Sequence, residues 1–375
     1  AMVTLSICMI VKNEEAVLER CLESIRGLWD ELVVVDTGST DATVAIAQRY
    51  TSQVFHYPWQ DDFAAARNFS FTQAHMDYCM WIDADDLLLP KDREELLHLK
   101  ETLDPSVDLV MMPYHTAFDA NGSPTFSYER ERWLRRDRQF RWQGAVHEAI
   151  PPSGKILHVG AAITHHKVGT GDPDRNLRIL EGLLRQKGSL EPRQQYYYGR
   201  ELLAHGQWIR AAQVLQDFLQ QGQGWVENNL DACLVLSKCY QQLGQEERSL
   251  HALLHALTYT RPRGEVCCAL GDHFMNRGQY EDAIFWYGTA LHCPRPQTGA
   301  FVQEDCYGYR PALLPCVCYD RLGQRERARE YNELAGQFRP QDPSVLYNRN
   351  YFAQQAGHQG EDTPEEEVPQ DTHNR

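Results

Sequence analysis

Three aspartates stand directly after a short apolar stretch in the first quarter of the chain. Asp83, Asp85 and Asp86 follow residues 80–82, whose apolar side chains predict a buried strand. Two carboxylates one residue apart offer the oxygen ligands that a hard divalent cation prefers, and such a cation can hold phosphate oxygens in turn. An ordinary acidic turn after a strand is the alternative, and these residues alone do not decide between a metal site and a turn.

The elements that would position these acids alternate between strand and helix. Runs of β-branched and apolar residues predict strands over residues 4–11, 31–35, 53–56 and 80–82. Apolar residues at helical spacing predict helices between them, over residues 16–25, 42–50 and 64–74. This alternation predicts an α/β fold in which a parallel sheet is wound from βαβ units.

Acidic side chains also follow the first two predicted strands. Glu14 and Glu15 come after the first strand, and Asp36 and Asp41 come after the second. Because parallel strands end at the same edge of a sheet, we expect these groups to converge with the aspartates after residues 80–82. No GxGxxG or GxxxxGKS/T loop follows a strand, so the pattern favours a metal and a polyphosphate-bearing ligand over a dinucleotide held by a glycine-rich loop.

A basic and aromatic segment follows a further predicted strand over residues 109–114. Residues 128–141 contain the arginines Arg130, Arg132, Arg135, Arg136, Arg138 and Arg141. In an acidic chain this segment is consistent with a surface that faces a diphosphate or an acidic acceptor, and a solvent-exposed ribbon is an equally good interpretation for most of these arginines. Residues 155–164 then predict another strand, which ends at His165 and His166.

From residue 174 the pattern changes to one helix after another, and an internal repeat is present. Each repeat has a helix, a Gly-Gln turn and a second helix, and the turn glycines are Gly206, Gly244, Gly278 and Gly323. Their spacing of 34 to 45 residues is close to the tetratricopeptide period. Glycine suits the left-handed residue that ends the first helix of each pair. Such arrays commonly bind a peptide or mediate dimerisation, and supporting the first domain is the alternative.

These patterns divide the chain into three parts. We predict an α/β domain over residues 2–173, a helical repeat domain over residues 174–356 and a disordered acidic tail over residues 357–375. The net charge of −15 argues against a nucleic-acid-binding protein. The 11 cysteines form no CxxC pair, and no apolar run has the length of a membrane-spanning helix or signal peptide, so we expect a reducing, cytoplasmic environment.

Four short motifs occur in order in the first half of the chain, and together they resemble family 2 glycosyltransferases of the GT-A type. They are residues 11–14 (VKNE), 35–41 (VDTGSTD), 66–68 (ARN) and 82–86 (IDADD), and the match extends over residues 3–170. With the repeats, the arrangement is similar to the sublancin-type peptide S-glycosyltransferases. The resemblance implies a GT-A domain, a Rossmann-like fold that binds nucleotide-diphospho-sugars, followed by an all-α tetratricopeptide-like domain.

The resemblance also implies a sugar-nucleotide donor and a divalent metal. The expected donor is a UDP-sugar, foremost UDP-glucose or UDP-N-acetylglucosamine, and the expected metal is Mn²⁺ or Mg²⁺. Carried over position by position, the motifs imply donor contacts at Val11, Glu14, Asp36, Asp41, Arg67, Asp83, Ala84 and Trp142. They imply metal ligands at Asp83, Asp85 and one of the two histidines His165 and His166.

Family 2 enzymes resemble one another in inverting the anomeric carbon by a single displacement, so the acceptor must lose a proton to a base. Glu148 is the first candidate for this base and His147 is the second. A carboxylate in a partly apolar pocket behind Trp142 would have a raised pKa that suits the task. A structural ion pair between Glu148 and a nearby arginine is the alternative.

The sequence therefore predicts a metal-dependent inverting hexosyltransferase that moves a sugar from a UDP-sugar to a side chain of a peptide or protein. One alternative keeps the transferase but gives it a cell-envelope glycan or a small-molecule acceptor, with the repeats forming a homodimer. Another is a scaffold whose transferase domain is inactive and whose repeats bind a partner protein. The intact pair of Asp83 and Asp85 argues against the scaffold.

Overall fold

The computed structural model describes residues 2–358, which divide into two compact units. The first unit comprises the residues up to Arg261 together with Pro296–Glu304. The second comprises Pro262–Arg295 and the residues from Asp305 onward. The predicted domain boundary at residue 173 stays a prediction, and the first unit contains both the α/β domain and the helices that directly follow it.

A mixed sheet of ten strands lies in the first unit. In chain order the strands are β1 (Leu5–Val11), β2 (Glu31–Asp36), β3 (Val54–His56), β4 (Tyr78–Trp81), β5 (Asp86–Leu87), β6 (Leu109–Phe118), β7 (Pro124–Arg135), β8 (Ile156–His158), β9 (Ile163–His165) and β10 (Val302–Gln303). Their spatial order is β3-β2-β1-β4-β7-β6-β9-β5, with β8 beside β6 and β10 beside β7.

The first four strands run parallel, which confirms the predicted α/β fold. Helices connect or follow them, namely α1 (Leu18–Ser24), α2 (Thr43–Gln48), α3 (Phe63–Thr72) and α4 (Pro90–Thr102). In the register of the sheet, Val11 lies opposite Asp36, and Cys8 lies opposite Trp81. The carboxyl ends of β1, β2 and β4 therefore meet at one edge, where the predicted acidic groups follow them.

The first part of the basic segment, up to Arg135, belongs to a central strand of the sheet. Strand β7 lies between β4 and β6 and is antiparallel to both, so both of its edges are paired. The interpretation as a solvent-exposed ribbon is wrong for Arg132, which is 0% exposed. Arginines can be buried in this strand because buried acids nearby pair with them. A local sequence pattern does not reveal a partner that comes from another part of the chain. The single strand predicted over residues 155–164 is in fact two short strands, β8 and β9, interrupted around Gly160.

The rest of the described chain is almost entirely helical. The helices are α5 (Arg175–Lys187), α6 (Pro192–Ala204), α7 (Trp208–Gln221), α8 (Val226–Gln242), α9 (Glu246–Ala256), α10 (Gly264–Asn276), α11 (Tyr280–His292), α12 (Tyr309–Arg321), α13 (Arg325–Phe338) and α14 (Pro343–His358). Helix α14 includes the first two residues of the predicted tail, and residues 359–375 lie outside the described part of the chain. No helix among residues 2–358 combines the length and apolar character that crossing a bilayer requires.

The predicted turn glycines end the first helix of each pair in the left-handed conformation. Gly206, Gly244, Gly278 and Gly323 have φ angles of 71°, 69°, 72° and 74°. The glutamine after each glycine donates its backbone N–H to a carbonyl five residues earlier, as in the bond from Gln207 to Leu202 at 2.9 Å. The helix-turn-helix repeats predicted from the sequence are therefore confirmed.

One apolar cluster joins the α/β domain to the first helices within the first unit. Val146 belongs to this cluster together with Leu180 on α5, Tyr196 on α6 and Phe218 on α7. Phe63 at the start of α3 packs against the same cluster. Burial of apolar surface therefore holds the first repeat helices against the domain that carries the acidic residues.

Candidate active site

Asp86 and His165 face each other across a pair of short strands. Asp86 begins β5 and lies opposite His165, the last residue of β9. The side chain of Asp86 is fully buried, and its Oδ1 lies 3.0 Å from His165 Nδ1 and accepts a hydrogen bond from the Tyr114 hydroxyl at 2.6 Å. Burial opposes protonation of His165, but the hydrogen bond to Asp86 and the charge of Asp85 keep the pKa of His165 above its ordinary value.

Asp85, Asp86 and His165 form a group that fits a divalent cation. One ligand atom from each residue lies within 4.8 Å of the others. Two carboxylates and an imidazole suit a hard cation such as Mn²⁺ or Mg²⁺ better than a soft cation, which prefers thiolates. Among the described residues, this is the group of three His, Cys, Asp or Glu side chains whose ligand atoms lie this close together. It includes Asp86, which the sequence patterns did not single out as a ligand.

The structure places the other two predicted metal ligands differently. Asp83 Oδ1 accepts a hydrogen bond from Arg67 Nη2 at 2.9 Å, so this carboxylate faces a guanidinium. His166 is exposed, and its ring stacks on Phe118 with a centroid distance of 5.1 Å. The geometry therefore separates His165 from His166 by their surroundings, whereas the sequence left the two equivalent.

Negative charge accumulates around this group. Burial, followed by the charges of Asp83 and Asp86, raises the pKa of Asp85 to about 6. Burial, followed by the charges of Asp85 and Asp83, raises the pKa of Glu14 to about 7. Carboxylates that raise one another's pKa in this way gain from a bound cation, which offsets their mutual repulsion.

Arg67 connects the predicted base to the acidic turn. Its Nε donates to Glu148 Oε1 at 2.6 Å, and its Nη2 donates to Asp83 as described above. The guanidinium lies between two indoles, 4.7 Å from the ring centroid of Trp81 and 5.1 Å from that of Trp142. The two carboxylates raise the pKa of Arg67 against the opposing effect of its burial, so the group stays charged.

The next residue in the ARN motif holds the backbone of Trp142. Asn68 Oδ1 accepts from the Trp142 N–H at 2.8 Å, and Asn68 Nδ2 donates to the Trp142 carbonyl at 3.0 Å. This paired bond keeps the Trp142 indole edge-on to Trp81, with a centroid distance of 5.1 Å. Trp142 Nε1 has no hydrogen-bond partner among the described residues.

The arginines of β7 surround the other side of Trp81. The guanidinium carbon of Arg130 lies 4.7 Å from the indole centroid, and that of Arg132 lies 3.6 Å from it. Arg130 pairs with Glu131 at 3.1 Å, and Arg132 lies 3.8 Å from Asp86. These arginines are therefore already paired with carboxylates of the protein, and Glu131 is a partner that sequence patterns did not reveal.

The turn after β2 uses its acids to bind its own backbone. Asp36 Oδ2 accepts from the N–H groups of Gly38 and Ser39, both at 3.1 Å. Asp41 Oδ1 accepts from the Thr43 N–H at 2.9 Å. The carbonyl of Val11 accepts from Thr37 at 3.0 Å, and Ala84 is buried. Donor contacts at these positions stay predictions.

His147 points to the first repeat helices rather than to Arg67. Its Nε2 lies 3.2 Å from Glu201 Oε1 on α6, and its ring stacks on Tyr197 with a centroid distance of 4.0 Å. Asn176 Nδ2 donates to the same Glu201 oxygen at 3.1 Å. The φ angle of His147 is 52°, in the left-handed region that residues other than glycine rarely adopt.

Comparison with known proteins relates the first part of the chain, with Asp85 and Asp86, to a family. Residues 6–156 match the model of the glycosyl transferase family 2, so the part of the chain that carries the acidic group is a family 2 glycosyltransferase domain. Together with the helical pairs that follow, the chain has a glycosyltransferase domain and tetratricopeptide-like repeats, which confirms the predicted architecture.

Three relatives show which proteins the chain is similar to. A TPR repeat-containing protein of Synechococcus elongatus is 38% identical over 154 residues, which cover 41% of this chain and 37% of the relative. The SPbeta prophage-derived glycosyltransferase SunS of Bacillus subtilis is 26% identical and covers 53% of this chain and 49% of its own. The lipopolysaccharide core biosynthesis glycosyltransferase LpsC of Rhizobium meliloti is 32% identical over a match that covers 40% of this chain and 58% of LpsC. The matches thus span about a third to three fifths of the length of these curated relatives.

Proposed function

We propose that this chain is a metal-dependent inverting glycosyltransferase that moves a sugar from a UDP-sugar to a side chain of a peptide or protein. The observation that carries the proposal is the convergence of Asp85, Asp86 and His165 at the carboxyl edge of a family 2 domain. A divalent cation held by these residues would supply the positive charge that stabilises a leaving diphosphate. The motif resemblance supports UDP as the nucleotide.

In the proposed reaction the bond between the anomeric carbon and the donor oxygen breaks, and its electron pair leaves with the nucleoside diphosphate. The acceptor bonds to the opposite face of that carbon and passes its proton to a base. Glu148 is our candidate, because one guanidinium, that of Arg67, bonds to both Glu148 and Asp83. This bridge keeps the carboxylate of Glu148 next to the acidic turn.

The relatives and the repeats suggest two classes of acceptor. The repeats, together with the resemblance of the motifs and repeats to peptide S-glycosyltransferases, support a peptide or protein acceptor. Similarity to LpsC, whose name gives lipopolysaccharide core biosynthesis, supports an envelope saccharide as the second candidate. Mass spectrometry of peptide and saccharide acceptors after incubation with UDP-sugar and Mn²⁺ distinguishes the two, because only the true acceptor gains the mass of the transferred sugar residue.

Calorimetric titration of UDP with and without Mn²⁺ tests the site itself. We expect UDP to bind the wild type only when the metal is present. Asp85→Ala should abolish this metal-dependent binding, because it removes one of the three grouped ligands. Asp217→Ala, at an exposed acid on α7, is the matched control and should bind UDP as the wild type does.

Two results would contradict the proposal. Unchanged affinity of Asp85→Ala for UDP in Mn²⁺ would remove the metal assignment. If the wild type binds no UDP under any metal condition, the donor carries another nucleotide or the domain is inactive. Slow, metal-dependent hydrolysis of sugar donors that carry GDP, CDP or dTDP separates these cases, since an inactive scaffold cleaves none of them.

A further inference from the structure

The first residue of the helical region lies against the helix that carries Arg67. Arg175 begins α5, and its guanidinium carbon lies 4.7 Å from the ring centroid of Phe63. Phe63 begins α3, and Arg67 follows four residues later on the same face of that helix. Arg67 bonds to Asp83, so helix α3 connects the contact of Arg175 with Phe63 to the acidic side of the site.

The charge of Arg175 acts on the site from this position. Burial and the charges of Asp85, Asp83 and Asp41 raise the pKa of Glu14, and the positive charge of Arg175 lowers it. The charge of Arg175 also lowers the pKa of Asp172, after the hydrogen bonds that Asp172 accepts from Asp174 and Arg178, so Arg175 is within electrostatic reach of both carboxylates. The contact with Phe63 places Arg175 at the start of the helix that carries Arg67.

Arg175 differs from the other arginines near the site in having no carboxylate at ion-pair distance among the described residues, although its charge acts on Asp172. Arg67, Arg130 and Arg132 each lie at ion-pair distance from an acid. Across residues 2–358, no carboxylate oxygen lies at that distance from Arg175, and its Nε makes one long hydrogen bond of 3.4 Å to Asn176 Oδ1. Its guanidinium therefore keeps most of its five N–H donors available to an anionic ligand.

We propose that Arg175 binds the diphosphate of the nucleotide-sugar donor, so that the first helix after the α/β domain completes the active site; this inference rests on the proposed function. A cluster of carboxylates repels a diphosphate, and a single divalent cation offsets only part of that repulsion. A guanidinium binds phosphate oxygens through two parallel N–H bonds. It also stabilises the negative charge that the diphosphate gains as it leaves the sugar.

A structural role is the alternative, in which Arg175 only packs on Phe63 and holds α5 in place. The two roles predict different measurements. Loss of packing lowers the free energy of unfolding and weakens every ligand of the site to a similar extent. Loss of a phosphate contact weakens UDP and leaves uridine unchanged, because uridine has no phosphate.

The test uses the full chain in the presence of Mn²⁺. Three quantities are measured for the wild type, Arg175→Gln and Arg175→Lys. The affinity for UDP is measured by calorimetry, and the affinity for uridine by competition against UDP. The unfolding temperature is measured without ligand. Arg178→Gln is the matched control, since Arg178 lies on the same helix, is 53% exposed and pairs with Asp172 at 3.1 Å. We expect Arg175→Gln to weaken UDP about tenfold or more, as for a lost charge-assisted hydrogen bond. Arg175→Lys should lose less of its affinity for UDP. The affinity for uridine and the unfolding temperature should not change in either variant, and the control should behave as the wild type does.

Three other outcomes would overturn the inference. If Arg175→Gln binds UDP as the wild type does, Arg175 does not contact the diphosphate, while the proposed function stands. If UDP and uridine weaken equally, or the unfolding temperature falls with them, the role of Arg175 is packing. If the wild type binds neither UDP nor GDP, CDP or dTDP, the proposed function fails and this inference fails with it.

Discussion

At the scale of residues, the site depends on charges that are buried together. The indole of Trp81 has the guanidinium groups of Arg67, Arg130 and Arg132 around it, at centroid distances of 4.7, 4.7 and 3.6 Å. Each guanidinium is offset by a carboxylate, so none of the positive charges is buried alone. Removing one partner of such a pair costs far more than an exposed salt bridge contributes, since the other charge is left buried and unpaired.

The proposed base gives the prediction at this scale. Glu148→Gln should lower the rate of transfer about a hundredfold or more at saturating donor, because an amide does not accept the proton of the acceptor. His147→Gln should lower it much less, since His147 Nε2 faces Glu201 rather than Arg67. Initial rates with a labelled UDP-sugar, together with UDP affinity by calorimetry, separate catalysis from binding.

The comparison of the two variants decides the assignment. If Glu148→Gln transfers sugar within tenfold of the wild type, the base lies elsewhere. If its affinity for UDP collapses, the role of Glu148 is to hold Arg67. If only His147→Gln loses transfer, the pair of His147 and Glu201 takes over the assignment of the base.

At the scale of elements, the helical pairs approach closely at one small residue. Gly199 on α6 and Gly271 on α10 each stand seven residues before the turn glycine of their repeat. A Cβ atom built on Gly199 would lie 2.5 Å from the side chain of Leu215, and one on Gly271 would lie 2.5 Å from the ring of Tyr287. The repeats therefore need a small residue at this position for packing, in addition to the glycine that the turn requires.

Gly199→Ala should lower the free energy of unfolding by about 1–3 kcal/mol, because the added methyl group forces Leu215 on α7 to move. Gly182→Ala on α5 is the matched control, since a Cβ there meets nothing within 4 Å. In a helix interior that change should be neutral or stabilise by up to about 1 kcal/mol. Urea unfolding followed by circular dichroism measures both, and equal stabilities of the two variants would contradict the packing argument.

At the scale of the whole molecule, the first compact unit does not end where the α/β domain does. It continues to Arg261 and includes β10, which pairs with β7. Val146 and Phe63 pack in the same cluster as residues of α5 to α8. The first repeats are therefore part of the surroundings of the site, in line with the proposed role of Arg175.

Truncation tests this organisation. A chain that ends at residue 173 should unfold without a cooperative transition. Without the later helices, the apolar side chains around Val146 are exposed to water. A chain that ends at Arg261 should unfold cooperatively and keep metal-dependent UDP binding, although it lacks β10. Scanning calorimetry and UDP titration are the measurements. A cooperative, UDP-binding chain of residues 2–173 would show that the α/β domain folds without the repeats.

The sequence by itself determined the parallel strands, the acidic turn after β4 and the helix-turn-helix repeats. Each of these depends on local features: continuous apolar runs, residues directly after a strand, and glycines that end helices. The tertiary structure alone decided that Asp86 joins Asp85 and His165, that Arg132 is buried beside Asp86, and that Arg175 reaches Phe63. These contacts join residues far apart in the chain, so only the packing of the sheet and helices brings them together. No periodicity or spacing within a short segment records such contacts.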